Sequence, residues 1–322
     1  MALITVSGLL SSTLLSGCQL QISKTTNSPS SPSATTVTTE PPTALPAVPP
    51  VYVIPDIPIP TAPGTAVEEN KKALIDYSNM QDGYVMTKYL EETDKQIRIL
   101  LTIPDGTEYT YRLASGGGFE VLPLSGGDGE YLIRVFEQVE GTRYALALSA
   151  TISVELVDEF APFLRPNQFV NFNKNSEVVR IAAILTVDKD GMMDKISTVY
   201  EFVITQFEYD HELAETVQSG YLPNLDLVLE RSKGICFDYA AVMAAMLRSQ
   251  GIPTKLVIGY TGGDYHAWIS VYSVETGWID DLIFFSGDGW SLMDPTFASS
   301  VASDELWEYI GDGTNYSAKF FH

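Results

Sequence analysis

The sequence predicts an α+β fold in which helices pack with an antiparallel sheet, preceded by a small all-β sandwich and a disordered N-terminal linker. Prolines concentrate before residue 67, and strand-and-turn patterns follow up to about residue 160. Helical periodicity begins after Pro162 and gives way to further strands. The 322 residues suffice for two domains with separate cores. We therefore place the sandwich at 67–160 and the α+β domain at 161–322.

The first 18 residues, MALITVSGLLSSTLLSGC, are apolar or small and carry no charge. They are too short for a membrane-spanning helix, which needs roughly 20 apolar residues. They resemble a bacterial lipoprotein signal peptide ending in the lipobox Leu15-Ser16-Gly17-Cys18, although no Lys or Arg precedes the apolar run. This pattern predicts lipidation of Cys18, a membrane contact through that anchor, and an extracytoplasmic location at the bacterial cell surface. The alternative is a disordered apolar N-terminus with a chance cysteine.

Residues 19–66 hold 11 of the 18 prolines and only three charged residues, Lys24, Glu40 and Asp56. Such a segment cannot bury enough apolar surface to offset the entropy lost on ordering. The composition predicts an extended, disordered linker that holds the folded domains away from a membrane.

The formal net charge is −22, from 41 acidic and 19 basic residues. This charge argues against binding of nucleic acid or anionic lipid headgroups, because both are polyanionic. It favours solubility, and its sign suits a cationic partner such as a lysine-bearing peptide or a polyamine. The sequence contains no metal-ligand cluster, phosphate-binding loop or cofactor motif, so we expect neither a metal nor a cofactor.

Strands and tight turns dominate from residue 67 to about residue 156. QIRILLTIPDGTEYTYRLA is typical of two strands joined at Pro104-Asp105-Gly106, and FEVLPLSGGDGEYLIRVFEQV repeats this form around residues 126–129. TRYALALSATISVEL adds one or two apolar strands. The pattern predicts an antiparallel sandwich of immunoglobulin-like type. No pair of nucleophile and base is visible there, so we expect a spacer or packing domain.

Apolar residues at helical spacing appear after Pro162, in SEVVRIAAIL and MDKISTVYEFVITQF. One face of the second segment carries Ile196, Val199, Tyr200, Val203 and Phe207. LDLVLERS predicts another short helix, and TKLVIGY, YHAWISVYS and WSLMDPTF predict strands.

One of the two cysteines, Cys236, stands at the start of a long apolar segment within KGICFDYAA. Residues 235–247 are apolar on nearly every face, which predicts a central buried helix that ends at Gly251 and Pro253. Cys236 then lies in the first turn, where free N–H groups and the helix dipole favour a thiolate. A small hydrophobic residue in a core is the alternative interpretation.

Three further features bear on Cys236. Gly234 is expected to leave room for a substrate near the sulfur. Asp238 opposes a thiolate if the two side chains face each other. With Cys18 lipidated, Cys236 has no disulfide partner, which favours a nucleophile over a packing residue in an oxidising compartment.

A thiolate needs a base, and the chain has three histidines. We expect His211, in the polar stretch EYDHELAE, and the last residue, His322, to be solvated. His266 begins the strand YHAWISVY after a glycine turn and shares one face of it with Trp268. A hairpin returning from the helix would bring His266 to the helix N-terminus, while a purely structural histidine is the alternative.

Asp294, in SLMDPTF, follows at a strand end, and Pro295 favours an extended backbone there. It is placed to accept a hydrogen bond from the imidazole, as the acid of a triad does, with an Asp-Pro turn as the alternative. The backbone N–H of Cys236 is the expected oxyanion donor, and Gln206 and Tyr209 are candidates for a side-chain donor.

Three blocks, KGICFDYAAVMAAMLRSQGIPTKLVIGY, YHAWISVY and MDPTF, resemble the transglutaminase-like superfamily. The family's Gly-x-Cys, His-Ala-Trp and Asp-Pro-Thr motifs match within residues 220–297. The resemblance implies a papain-like transglutaminase-core domain with Cys236 as nucleophile, His266 as base and acid, and Asp294 as orienting group. Phe237 replaces the tryptophan of animal crosslinking enzymes, and no calcium-binding loop is evident, which argues against calcium activation.

The family includes transglutaminases, peptide or amide hydrolases and inactive members. The resemblance therefore implies a cysteine acyltransferase, peptidase or amidase that forms an acyl-enzyme on a protein or peptide substrate. A non-catalytic surface protein that binds peptides or cell-wall components through the same cleft is the alternative. A redox thiol fits less well because the chain offers no resolving cysteine.

Overall fold

Buried hydrophobic side chains form two cores, one in each predicted domain. The computed structural model describes residues 51–261, 263–274, 277–280, 283–286, 289–292 and 316–322. Across these ranges, no helix combines the length and apolar character needed to cross a membrane. The predicted combination of an all-β region followed by an α+β region is confirmed.

Eight strands between residues 67 and 154 form two antiparallel four-stranded sheets. The first sheet has the order β1-β2-β3-β6, with β1 at Val67–Glu69, β2 at Ala73–Asp76, β3 at Tyr84–Tyr89 and β6 at Glu120–Pro123. The second has the order β5-β4-β7-β8, with β4 at Ile97–Thr102, β5 at Glu108–Leu113, β7 at Gly129–Glu140 and β8 at Arg143–Val154. Side chains from both sheets, such as Ile75 and Ile99, meet in one core, so this region is a β-sandwich.

The strand order of the sandwich differs from the immunoglobulin arrangement. In immunoglobulin domains the third strand of the chain already belongs to the second sheet. Here β1, β2 and β3 are consecutive neighbours in one sheet before β4 and β5 begin the other. The predicted sandwich therefore has a connectivity of its own.

Of the two predicted strand pairs, the first is a hairpin and the second is not. β4 and β5 pair across the turn that contains Gly106, whose φ is +89°. β6 and β7 are both present, but β6 pairs with β3 and β7 pairs with β4. The turn between them crosses from one sheet to the other, and the Tyr131 hydroxyl fixes it by donating to the carbonyls of Leu124 and Gly127 at 3.1 and 2.7 Å.

Residues 51–66, which we call the strap, lie within the predicted linker yet pack on the folded body. Ile57 is buried in the core of the α+β domain. The N–H of Thr61 donates to the Tyr84 hydroxyl at 3.1 Å, and the N–H of Gly64 donates to the Asp76 carboxylate at 2.7 Å. Apolar residues between the prolines and specific hydrogen bonds offset the ordering entropy, so the folded body begins before Val67.

The α+β domain contains five described α-helices, α1 at Glu177–Leu185, α2 at Met192–Gln206, α3 at His211–Thr216, α4 at Leu225–Arg231 and α5 at Cys236–Ser249. Its main sheet has the order β13-β12-β11-β16, with β11 at Thr254–Thr261, β12 at Asp264–Ser273, β13 at Gly277–Ile279 and β16 at Tyr316–Phe321. A parallel bridge joins β9 at Glu208–Tyr209 to β10 at Lys233–Gly234, and a hairpin joins β14 at Ile283–Ser286 to β15 at Gly289–Leu292.

Helix α5 is the centre of this domain, as its uniformly apolar sequence predicts. Every residue of α5 after Phe237 is buried, and α5 packs on α1, α2 and both β11 and β12. The predicted buried face of α2 is also confirmed, since Ile196, Val199, Tyr200 and Val203 lie in the core, as does Phe207 immediately after the helix. Gly251, with φ +75°, ends α5 and turns the chain into β11.

The prediction that His322 is solvated is wrong. Its side chain is 3% exposed and lies between the two domains, where its ring contacts Phe169 at 4.0 Å. The Tyr111 hydroxyl, from the sandwich, lies 3.4 Å from His322 Nδ1. Burial, together with the nearby charge of Arg248, lowers the pKa of His322 to about 3, so the ring is a neutral packing group. His211, by contrast, is exposed as predicted.

Candidate functional site

Cys236 is the first residue of α5, and its side chain is half-buried. Ile235 before it is extended, with φ −100° and ψ 176°, so the chain turns into the helix at the cysteine. The first N–H groups of a helix have no partner inside the helix. The sulfur therefore lies at the positive end of a 14-residue helix, beside donors that the helix leaves unused. The predicted helix start at Cys236 is confirmed.

A two-residue parallel bridge fixes the chain that leads to Cys236. Gly234 lies opposite Tyr209 in the pairing of β10 with β9. The N–H of Asp210 donates to the Gly234 carbonyl at 2.8 Å, and the Asp210 carboxylate forms an ion pair with Lys233 at 3.1 Å. The backbone on the N-terminal side of the cysteine is thus tied to the segment between α2 and α3.

The two candidate side-chain donors for an oxyanion differ in their position relative to this bridge. Tyr209 is half-buried and stands opposite Gly234, two residues before the cysteine. Its ring also lies 5.0 Å from that of His211. Gln206 is the last residue of α2, before the bridge begins. The structure thus pairs the backbone of Tyr209 with the strand that precedes Cys236.

Asp238 lies in the first turn of α5 and is fully buried. Its Oδ2 accepts the N–H of Ile235 at 2.9 Å, and its Oδ1 accepts the hydroxyl of Tyr221 at 2.7 Å. Burial raises the pKa of the Asp238 carboxyl to about 6, against the opposing effect of these two hydrogen bonds. Side chains two residues apart on a helix project about 200° apart, so Asp238 and Cys236 leave α5 on different sides.

Gly234 lies against Asp238 rather than along an open path to the sulfur. A Cβ at Gly234 would stand 2.7 Å from the Asp238 Cβ and 2.9 Å from its Oδ2. The expectation that Gly234 leaves room for a substrate is therefore corrected. The space that the glycine leaves is filled by the buried carboxyl.

His266 lies on β12 and is 1% exposed. Its ring is stacked with that of Trp268 at 6.2 Å and lies 6.5 Å from that of Tyr316. The predicted shared face of His266 and Trp268 is thus observed. Alternate residues Ala267, Ile269 and Val271 belong to the core that contains α5. His266 and Cys236 lie on two elements that pack together, β12 and α5. The imidazole lies on the β12 face that carries Trp268, which alternates with the face that packs on α5.

Tyr265 continues the β12 face that packs on α5, but it lies beyond the buried part of the strand. It is 41% exposed, and its ring lies 5.5 Å from Tyr260 on the neighbouring strand. Partial burial raises the pKa of the Tyr265 phenol to about 12, and the charges of Tyr260 and Cys236 add to this shift. Tyr265 is therefore close enough to Cys236 for the two side chains to interact electrostatically.

Two predicted site residues, Asp294 and the lipidation residue Cys18, lie outside the described residues. Among the described residues, no group of three or more His, Cys, Asp or Glu side chains is arranged to hold a metal ion. Tyr221 and Tyr265 are not among the residues predicted from the sequence. Tyr221 lies in an aperiodic segment, so nothing in the sequence marks it as a site residue. Tyr265 could have been predicted, because it is adjacent to His266 at the end of a strand.

A family model described as the transglutaminase-like superfamily matches residues 180–295. The matched range includes Cys236, His266 and Asp294. Residues 180–295 form a transglutaminase-like domain. In the part of this domain that the structure describes, helix α5 packs on the strands β11 and β12.

Two curated relatives match parts of the chain that carries the transglutaminase-like domain. The uncharacterized protein YebA of Bacillus subtilis is 34% identical over an alignment of 124 residues, and the match covers 32% of this chain and 17% of YebA. A protein-glutamine gamma-glutamyltransferase of Pseudomonas aeruginosa is 35% identical over an alignment of 68 residues, and the match covers 17% of this chain and 10% of that protein. The chain thus spans less than a fifth of the length of these relatives.

Solved structures give weaker likenesses. A provisionally assigned cysteine protease from Cytophaga hutchinsonii is 13% identical with a TM-score of 0.34, covering 72% of this chain and 73% of that one. Red sea bream transglutaminase is 14% identical with a TM-score of 0.26, covering 72% of this chain and 49% of that one. Likenesses at this level carry no argument about activity.

Proposed function

We propose that this protein is a thiol enzyme that performs acyl transfer or hydrolysis on amide bonds of peptides or proteins. The observation that carries the proposal is the half-buried Cys236 at the first residue of a buried helix, inside the range matched by the transglutaminase-like family model. A thiolate is favoured at such a place by unused N–H donors and the helix dipole.

The proposed reaction begins with attack of the Cys236 thiolate on the carbonyl carbon of a glutamine carboxamide or a peptide bond. A carbon–sulfur bond forms, the carbon–nitrogen bond breaks, and the leaving amine takes its proton from the His266 imidazolium. The product is a thioester on Cys236. Water or a primary amine, deprotonated by His266, then attacks the thioester carbon, and the carbon–sulfur bond breaks to return the thiolate.

Each remaining group has a proposed role in this cycle. Asp294 accepts the second imidazole N–H and sets the tautomer. The backbone N–H of Cys236 donates to the developing oxyanion, since the helix itself does not use it. The position of Tyr209 opposite Gly234 supports it over Gln206 as a second donor.

We also propose that the enzyme is held outside the cytoplasm by a lipid on Cys18, with the Pro-rich segment before the strap as a tether. Leu15-Ser16-Gly17-Cys18 supports this proposal. Replacing Cys18 with Ala should release unlipidated protein from the membrane fraction or leave an uncleaved precursor. Unchanged mass and fractionation of that variant would remove the lipid anchor from the proposal.

The chemistry is tested by incubating the purified protein with a glutamine-containing peptide and a primary amine, followed by mass spectrometry. An amine adduct identifies a transferase, and a deamidated or cleaved peptide identifies a hydrolase. Cys236→Ala is the control and should give neither product. An unmodified peptide with folded wild-type protein, across a panel of peptides, would favour a non-catalytic peptide-binding protein instead.

A further inference from the structure

We propose that Asp238 and Tyr221 form a positioning pair that holds the backbone before Cys236 in its reactive conformation while the Asp238 carboxyl is ionised. The inference rests on the proposed thiol chemistry of Cys236 and adds two residues to it. Both act through the backbone beside the sulfur, so they are positioning residues.

The Asp238 carboxyl lies at the joint between β10 and α5, by which we mean residues Gly234 and Ile235. Its two oxygens have separate tasks, because Oδ2 binds the Ile235 N–H at 2.9 Å and Oδ1 binds the Tyr221 hydroxyl at 2.7 Å. Ile235 is the residue immediately before the nucleophile, and its orientation sets where the Cys236 N–H and sulfur point. A carboxylate that reaches back to the N-cap residue is a known way to close the start of a helix.

The close packing of Gly234 shows that the joint is built around this carboxyl. Any larger residue at position 234 would collide with the Asp238 side chain at 2.7 Å. On the other side, the Gly234 carbonyl is held by the Asp210 N–H at 2.8 Å. The segment 234–235 is therefore clamped between two acidic residues from different parts of the domain.

An ionisable acid is an expensive choice for this place. Asparagine could accept the same N–H without a buried charge, whereas a buried carboxylate pays for desolvation. Groups with strongly displaced ionisation cluster at functional sites more than elsewhere. The presence of a buried acid next to the nucleophile points to a role for its charge.

The ionised form matches the two hydrogen bonds described above, because each of its oxygens accepts one of them. A carboxylate accepts hydrogen bonds at both oxygens, whereas a neutral carboxyl carries an O–H that must itself donate. The Tyr221 hydroxyl, which now donates to Oδ1, would have to turn. Hydrogen bonds to a charged acceptor are also stronger than those to a neutral one. Protonation therefore weakens the hold on Ile235.

The charged groups around the pair agree with this picture. Asp210, at the start of α3, raises the pKa of both Asp238 and Tyr221 through its charge. Lys233 neutralises part of that charge through its ion pair with Asp210, and Arg231 lowers the pKa of Tyr221. The hydrogen bond from Tyr221 lowers the pKa of Asp238, so the tyrosine keeps the acid ionised to lower pH.

The test is the rate of alkylation of Cys236 by iodoacetamide in the full-length protein between pH 4.5 and 8, measured by mass spectrometry of the Cys236 peptide. We expect an inflection near pH 6 from Asp238 in addition to the titration of the thiol itself. Tyr221→Phe should move that inflection upward by about one pH unit, the size expected for the loss of one hydrogen bond to a charged group. Asp238→Asn should abolish the inflection.

Tyr144→Phe is the matched control, because its hydroxyl donates to Gln96 in the sandwich at 3.0 Å, and its profile should equal the wild type. Thermal melts establish that each variant is folded. An inflection that stays in place in folded Tyr221→Phe, or persists in folded Asp238→Asn, would overturn the positioning pair. The readout needs no acyl substrate, so an inactive protein with the expected alkylation profiles would sink the proposed acyl chemistry and leave the pair standing.

Discussion

The N–H of Thr61 donates to the hydroxyl of Tyr84 at 3.1 Å, which attaches the strap to a strand of the sandwich. A few residues earlier, Ile57 is buried in the core of the transglutaminase-like domain. The strap therefore contacts both domains. Although its proline content predicts a disordered linker, the strap is part of the folded structure.

The strap offers a stability prediction with a built-in control. Ile57 is 7% exposed and Ile59 is 48% exposed, although both belong to the same Pro-rich stretch. Ile57→Ala should lower the free energy of unfolding by about 2 kcal/mol or more, since it leaves a cavity in a core. Ile59→Ala should change it by less than about 0.5 kcal/mol. Denaturant melts of the two variants measure the difference, and equal stabilities would mean that the strap does not pack in solution.

The division of work among the proposed catalytic residues is a second prediction. Cys236→Ala should abolish covalent chemistry, and His266→Ala should be nearly as damaging, because it removes the proton donor to the leaving group. Asp294→Asn should reduce kcat by only about 10- to 1000-fold, since a thiol at a helix start depends less on a held base than a hydroxyl does. Steady-state rates on folded variants measure these losses. Full activity of His266→Ala would end the triad proposal.

The contact between Gly234 and Asp238 gives a third prediction. Gly234→Ala should lower the free energy of unfolding by about 1–3 kcal/mol, because the added methyl collides with a buried side chain. It should also slow alkylation of Cys236 by displacing the segment before it. Gly118→Ala is the control, since a Cβ there meets nothing within 4 Å. If the two variants melted alike, the packing at position 234 would be looser than described.

The buried carboxyl of Asp238 predicts how stability changes with pH. Its pKa rises from 3.8 to about 6 on folding, so the folded state binds this proton more tightly than the unfolded state does. The resulting stabilisation is fully present below about pH 3.8 and is lost as the pH rises through about 6. The full effect is at most about 3 kcal/mol.

Asp238→Asn tests this linkage, because asparagine keeps the N–H acceptor and cannot ionise. The stability of the variant relative to wild type should increase between pH 4 and pH 7. Denaturant melts at several pH values measure the trend. A constant difference across that range would show that Asp238 does not titrate there.

Patterns tied to periodicity predicted the main elements well. The α5 helix, the buried face of α2 and the strands β11 and β12 follow from the spacing of apolar residues, because burial on one or all faces leaves a direct trace in the sequence. The place of Cys236 at the first residue of α5 follows from the glycine and the apolar run around it.

Features that depend on distant partners were not predictable in the same way. The sequence between β6 and β7 is typical of a hairpin turn, but β6 pairs with β3 and β7 pairs with β4. Strand pairing depends on the whole sandwich, so the local sequence does not determine it. His322 looks solvated from its position in the chain, yet Tyr111 and Phe169 enclose it. The role of Asp238 depends on Tyr221, which is 17 residues away in a segment without periodicity.

The route of the strap has a mechanical consequence. Along the strap, the chain packs on the transglutaminase-like domain at Ile54 and Ile57 before it forms its hydrogen bonds to the sandwich at Thr61 and Gly64. In the tethered protein that we propose, a pull from the membrane would load the domain that carries Cys236 before the sandwich, although the sandwich comes first in the sequence. We therefore expect a pulling force to remove Ile57 from the core of the transglutaminase-like domain before it separates any strand of the sandwich.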